Sequence, residues 1–245
     1  MSKRGILLHA RSRIGVFPSV LVIYFLSFYS PVWADDCVVL LHGMARTERS
    51  MSKMEDALVK DRYAVVNYGY PSTELTIEEI SRDHIPKALQ LCGNYTRVHF
   101  VTHSLGGIVV RKYLAENSIE NLGRVVMLGP PNKGSEVVDN LKNIPGFALI
   151  NGPAGSQLGT ESSSVPNSLG PVTYEVGVIA GSSTINLLLS LMLPNPDDGK
   201  VSVARTKVDG MVDHIVVPVS HPFLMRNANV IQQAKNFLRT GKFVH

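Results

Sequence analysis

The sequence predicts an α/β domain: a mostly parallel central sheet of about six strands with helices on both faces. Three observations predict it. Short apolar runs alternate with helix-patterned segments along residues 35–245, and strands separated by helical patterns pair in parallel. The runs are continuously apolar, as in Cys37-Val-Val-Leu-Leu41, which is the pattern of strands covered on both faces. The chain has 245 residues, 44% hydrophobic and 18% charged, with mean hydropathy +0.10, as in a globular domain. Bulk disorder, a collagen-like chain and a disulfide-dense miniature scaffold are excluded by that composition. A multi-span membrane protein is excluded because only one stretch approaches spanning length.

The elements follow in order. Cys37–Leu41 is the first strand. Arg49 to Lys60 puts Met51, Met54, Ala57 and Leu58 on one helical face. Tyr63–Tyr68 is the second strand, closed by Gly69-Tyr70-Pro71. Thr76-x-x-Glu79 is a capping box, and its helix runs to about Leu91, with Pro86 expected to kink or break it. Arg97–Thr102 is the third strand, Leu105–Glu116 a helix, Arg124–Leu128 the fourth strand and Tyr174–Ala180 the fifth. His214–Val219 is the sixth strand. Asn227 caps a final helix with Val230, Ile231, Ala234, Phe237 and Leu238 inward, and Gly241 ends it. Residues 131–173 break the alternation. They are rich in Gly, Pro, Ser and Asn, and an unstructured stretch of that length reads as a lid or binding loop. Gly181–Leu193 is the most apolar run beyond the leader, either a buried helix or the lining of an acyl pocket.

Residues 1–34 form a leader. Lys3, Arg4, Arg11 and Arg13 precede an apolar stretch, Val16 to Ser30, and Val32 and Ala34 stand at −3 and −1 of a cleavage site. That is the layout of a secretory signal peptide cut after Ala34; an uncleaved anchor is the other reading. The residues after Ala34, 35–245, form one domain, secreted or periplasmic. The net charge of +4 lies entirely in the leader, because the rest has equal numbers of basic and acidic side chains. The pI of about 9.1 therefore gives no ground for a nucleic-acid partner. Cys37 begins one strand and Cys92 lies just before another. If those strands are parallel neighbours, both cysteines sit at one end of the sheet, and an oxidising compartment favours a disulfide over two buried thiols.

The chemistry collects at strand ends. Thr102-His103-Ser104-Leu105-Gly106-Gly107 lies between a strand and a helix, where a sharp turn presents a nucleophilic Ser104. The turn needs small residues on both sides; Gly106 supplies one, and Thr102 replaces the usual Gly at the other. Leu40-Leu41-His42-Gly43-Met44 ends a strand at the same mouth. The Met44 and Leu105 backbone amides are the expected oxyanion hole, Leu105 also opening a helix whose dipole favours negative charge. An acid and then a histidine follow in chain order: Asp198 in Asn195-Pro196-Asp197-Asp198-Gly199, and His221 after the sixth strand. Ser104 attacks, His221 carries the proton, and Asp198 orients the imidazole. Asp197 is the rival acid and His214 the rival base, with Asp209 and Asp213 less well placed. His42 and His103 read as residues that shape the turns.

Together these residues resemble the α/β-hydrolase superfamily, in particular its lipase and esterase branch. The resemblance spans nearly all of residues 35–245 and rests on His42-Gly43, Thr102 to Gly107, Pro131-Asn132-Lys133-Gly134-Ser135, Asp198-Gly199 and His221. It implies hydrolysis of carboxylic esters through an acyl-enzyme, on an ester or lipid substrate and in contact with a lipid interface, without a cofactor. No metal-ligand spacing and no phosphate-binding glycine loop is present in the sequence. The same three residues would also serve acyl transfer or thioester or amide cleavage, and a non-catalytic binding protein is the remaining reading.

Overall fold

The structure, a computed structural model, describes residues 36–245; the leader and its cleavage site lie outside the described residues. Six strands form one sheet: β1 (Asp36–Leu41), β2 (Ala64–Tyr68), β3 (Arg97–His103), β4 (Leu122–Leu128), β5 (Val176–Gly181) and β6 (Asp213–Val217). Their order is β2-β1-β3-β4-β5-β6 and every pairing is parallel. The expected mostly parallel sheet is wholly parallel among the described residues.

Burial explains the continuous apolar runs. Alternate residues of β1 enter two separate cores. Cys37, Val39 and Leu41 pack with α2 (Ile77–Cys92) and α3 (Leu105–Glu116) on one face. Val38 and Leu40 pack with α1 (Ser52–Lys60) and α9 (Ala228–Thr240) on the other. The helix expected from Arg49 opens as a 3₁₀ turn, Glu48–Met51, before α1 begins. Thr76 and Glu79 form the expected capping box: Thr76 Oγ1 accepts from the Glu79 amide at 3.2 Å and Glu79 Oε2 accepts from the Thr76 amide at 2.8 Å.

Two expectations fail at prolines and loops. The helix α2 runs unbroken through Pro86. Pro86 and the residue four before it, Arg82, are both exposed, so water can satisfy the carbonyl that loses its amide partner. Residues 131–173 are not an unstructured loop. They hold three short helices, α4 (Glu136–Leu141), α5 (Phe147–Ser156, interrupted at Gly152) and α6 (Val165–Ser168). Long-range polar contacts fix the insertion. Buried Arg111 of α3 donates to the Asn132 and Gly170 carbonyls, both at 2.9 Å. Gln157 accepts from the Ile77 amide and donates to Glu78, both at 2.7 Å. Asp139 accepts from the Thr160 amide at 3.0 Å.

Gly181–Leu193 is not a buried helix. Only α7 (Leu187–Ser190) is helical, and Leu187, Leu188 and Leu191 are 73%, 75% and 84% exposed. Among the described residues no element buries Leu187, Leu188 or Leu191. One further helix, α8 (Val203–Thr206), precedes β6.

Cys37 and Cys92 are joined as expected, with Cα atoms 5.8 Å apart across a sequence separation of 55. Cys92 is the last residue of α2, just before β3, as expected. Closing a loop of that length restricts the unfolded chain by about 4 kcal/mol on a chain-entropy argument. The Cys37→Ala/Cys92→Ala variant is expected to lose roughly 2–4 kcal/mol of unfolding free energy, measured by denaturant titration. The native chain should take up no alkylating reagent until reduced.

Candidate active site

The elbow follows from the packing of α3 on β1. A Cβ added to Gly106 would lie 2.9 Å from the Leu41 carbonyl oxygen and 3.0 Å from that of His42, so the helix approaches backbone to backbone. Ser104, between β3 and α3, is forced to φ 52° and ψ −119°. A non-glycine residue held there stores about 1–3 kcal/mol of strain, which the surrounding packing must sustain. Thr102 fits without the usual glycine because it is fully buried and its Oγ1 donates to the Val126 carbonyl at 3.4 Å.

The structure brings Ser104, Asp198 and His221 to one cavity of about 400 Å³. His221 Nδ1 donates to Asp198 Oδ2 at 2.7 Å, which leaves Nε2 as the nitrogen able to act on Ser104. Asp198 is only 1% exposed. Its Oδ1 accepts from the amides of Lys200 (3.0 Å) and Val201 (2.9 Å), and its carbonyl accepts from the His221 amide at 3.0 Å. The carboxylate is thus anchored through Oδ1, which leaves Oδ2 for the imidazole. Asp197 points elsewhere: it accepts from the Gly199 amide and from Ser190 Oγ, both at 2.7 Å.

His214 lies at the amino end of β6, where its Nε2 pairs with Thr206 Oγ1 at 3.0 Å. Burial, with Lys207 adding to it, pushes its pKa down to about 4 from 6.5. The unfolded chain takes up that proton near pH 6.5 and the folded chain only near 4, so folding stability falls as pH drops through this window. After discounting for partial exposure the effect is ~1–2 kcal/mol. Urea titrations of the wild type and His214→Gln at pH 7 and pH 4.5 should show the smaller acid loss in the variant. Asp209 pairs with Lys133, and Asp213 accepts from the Phe243 amide and from His245. Neither lines the cavity.

Met44 follows the carboxyl end of β1 and lines the cavity, while Leu105 is the first residue of α3. Amides in a first helical turn have no partner within the helix. His42 secures the Met44 turn. Its ring stacks on Tyr70 at 4.2 Å, its Nε2 accepts from the Tyr70 amide at 3.3 Å, and its carbonyl accepts from Tyr70 Oη at 2.5 Å.

Two residues outside the triad support the pair: His103, expected to shape a turn, and Gly129, which the motif reading missed. His103 lies 4.7 Å from the His221 ring and donates from Nε2 to the His221 carbonyl at 3.0 Å. Burial, reinforced by repulsion from His221, holds its pKa well below the usual imidazole value. It is a neutral prop for the His221 turn. Gly129, after β4, has φ 55°, and a Cβ there would lie 3.1 Å from both Asp198 Oδ2 and His221 Nδ1. No local sequence signal ties Gly129 to the distant pair that it accommodates.

One wall of the cavity is apolar, formed by Val137, Val138, Phe147, Ile150, Ile185 and Leu189, while Arg46 and Lys200 also line it. The same two chain segments continue as an exposed apolar rim: Ile144 and Leu149 flank Phe147 in sequence, and Leu187, Leu188 and Leu191 flank Leu189. Among the described residues no group of three or more His, Cys, Asp or Glu is placed to hold a metal ion.

A strained serine elbow on a parallel sheet of this order, with an Asp–His pair after the last strands, defines the α/β-hydrolase fold, and this chain has that fold. It is similar to the mature lipase BlEst2 of Bacillus licheniformis, at TM-score 0.66 and 17% identity, over 84% of this chain and 92% of that one. It is also similar to phospholipase PlaB of Legionella pneumophila, at TM-score 0.62 and 18% identity, over 84% of this chain and 59% of that one. An extracellular α/β-hydrolase from a Paenibacillus species matches at TM-score 0.54 and 14% identity, over 84% and 98%. No protein-family model matches the sequence, and no curated protein does.

Proposed function

We propose that the chain is a serine hydrolase of carboxylic esters that works through an acyl-enzyme. The observation that carries this reading is Ser104 at its left-handed elbow, in one cavity with the 2.7 Å His221–Asp198 pair. Ser104 Oγ attacks the ester carbonyl carbon, and its proton passes to His221 Nε2. The carbonyl π pair becomes an oxyanion that accepts from the Met44 and Leu105 amides, each such donor contributing about 2.7–4 kcal/mol. Asp198 holds the imidazole in the required tautomer and stabilises its cation. Collapse of the intermediate expels the alcohol, which takes the proton from His221. Water, deprotonated by the same imidazole, then attacks the acyl-serine and releases the acid.

The apolar wall suits an acyl chain, and the exposed apolar rim suits a lipid surface from which such a chain is drawn. The insertion at residues 131–173 carries one side of that rim, as a lid does. The likenesses to a lipase and a phospholipase support the same substrate class. The Cys37–Cys92 bridge supports an oxidising compartment, reached by cleavage after Ala34.

Hydrolysis of p-nitrophenyl esters of increasing acyl length tests the reading. Turnover should rise beyond acetate, because each buried CH₂ adds about 0.8 kcal/mol. No turnover above the Ser104→Ala background at any length would sink it.

A further inference from the structure

The catalytic cavity has a cationic end. Arg46 and Lys200 line it beside Ser104 and His221. Arg46 and Pro222 also line an adjoining groove of about 200 Å³, whose other walls include Arg49, Lys53 and Arg226. The two spaces share a wall, and Arg46 belongs to both. Arg226 is steadied over the Phe223 ring, 4.6 Å from its centroid. Among the described residues none of Arg46, Arg49, Lys53 and Arg226 forms a salt bridge.

The acids close to these residues in the chain are engaged elsewhere: Glu48 Oε2 lies against Gly69 and Glu55 accepts from Asn67 at 2.7 Å. Beyond the leader the chain carries equal numbers of basic and acidic side chains, so this is a local concentration of charge. Burial, with repulsion from Arg46 added, holds the Lys200 ammonium below its usual pKa although Asp198 opposes the shift. Like charges gathered at one cavity are stabilised by an anion placed between them, and guanidinium groups match phosphate oxygens in two-point contacts.

We propose that this groove is a head-group subsite, and that the substrates are carboxylic esters carrying a phosphate group a few bonds from the scissile carbonyl. The acyl chain lies along Phe147, Ile150, Ile185 and Leu189, and the phosphate meets Arg46, Arg49 and Arg226. This inference rests on the ester-hydrolase reading.

The test compares dihexanoyl phosphatidic acid with dihexanoylglycerol, both monomeric, as substrates of the enzyme made from the full chain. The phosphate ester should show kcat/KM at least about tenfold higher at low salt, and the advantage should shrink in 0.5 M NaCl. In Arg49→Gln/Arg226→Gln the ratio should fall to within about threefold of unity. Equal kcat/KM for the two esters in the wild type overturns the head-group subsite and leaves the hydrolase reading intact. Rates for both at the Ser104→Ala level overturn the two together. Inorganic phosphate is the third probe. If it inhibits dihexanoylglycerol hydrolysis competitively while the phosphate ester has no advantage, the groove binds free phosphate and the substrate assignment fails.

Discussion

Replacing Ser104 by alanine is expected to lower kcat on p-nitrophenyl esters by on the order of 10⁶-fold, with the fold intact. In the proposed mechanism the serine oxygen carries the acyl group, so its loss would leave only the binding cavity and the oxyanion donors to act on water. The side chain projects into the cavity and is not a core residue, so little packing is lost. Alanine at φ 52° keeps the backbone strain, so the melting temperature should move little. A fluorophosphonate should label the wild type and not the variant. Turnover in Ser104→Ala within tenfold of wild type would remove the nucleophile assignment.

The second large effect separates two adjacent acids. Asp198→Asn is expected to lower kcat by roughly 10⁴-fold, because an amide in place of Oδ2 presents His221 with the wrong tautomer. Asp197→Asn should leave kcat within a few-fold of wild type. Its cost falls on stability, about 1–3 kcal/mol, through the buried contacts with the Gly199 amide and Ser190 Oγ. Kinetics and urea titration of both variants give opposite signatures. Equal losses of kcat would show that the loop, and not the Asp198 carboxylate, is what His221 requires.

Much of the site is legible before any tertiary contact is known. Ser104 is marked by a strand, a helix and Gly106 within a few residues, since the elbow is a local structure. The capping box at Thr76 and the inward face of α9 are local for the same reason. Pro86 was misleading because a proline's effect depends on whether water reaches the carbonyl it strands. The helices of the insertion were invisible because each is short and is held by distant partners, Arg111 and Gln157 among them. The segment from Gly181 to Leu193 is apolar enough for a core helix, yet apolarity does not say whether a covering element exists.

The sequence by itself determined the alternation of strands and helices, the parallel sheet and the sharp turn that carries Ser104. Each of these is written in periodicities and turn residues only a few positions apart. The tertiary structure decided which acid faces His221, that His103 and Gly129 support that pair, and that Arg46, Arg49 and Arg226 share a groove beside it. Those relations join residues far apart in the chain, and only the closing of the sheet sets the distances between them.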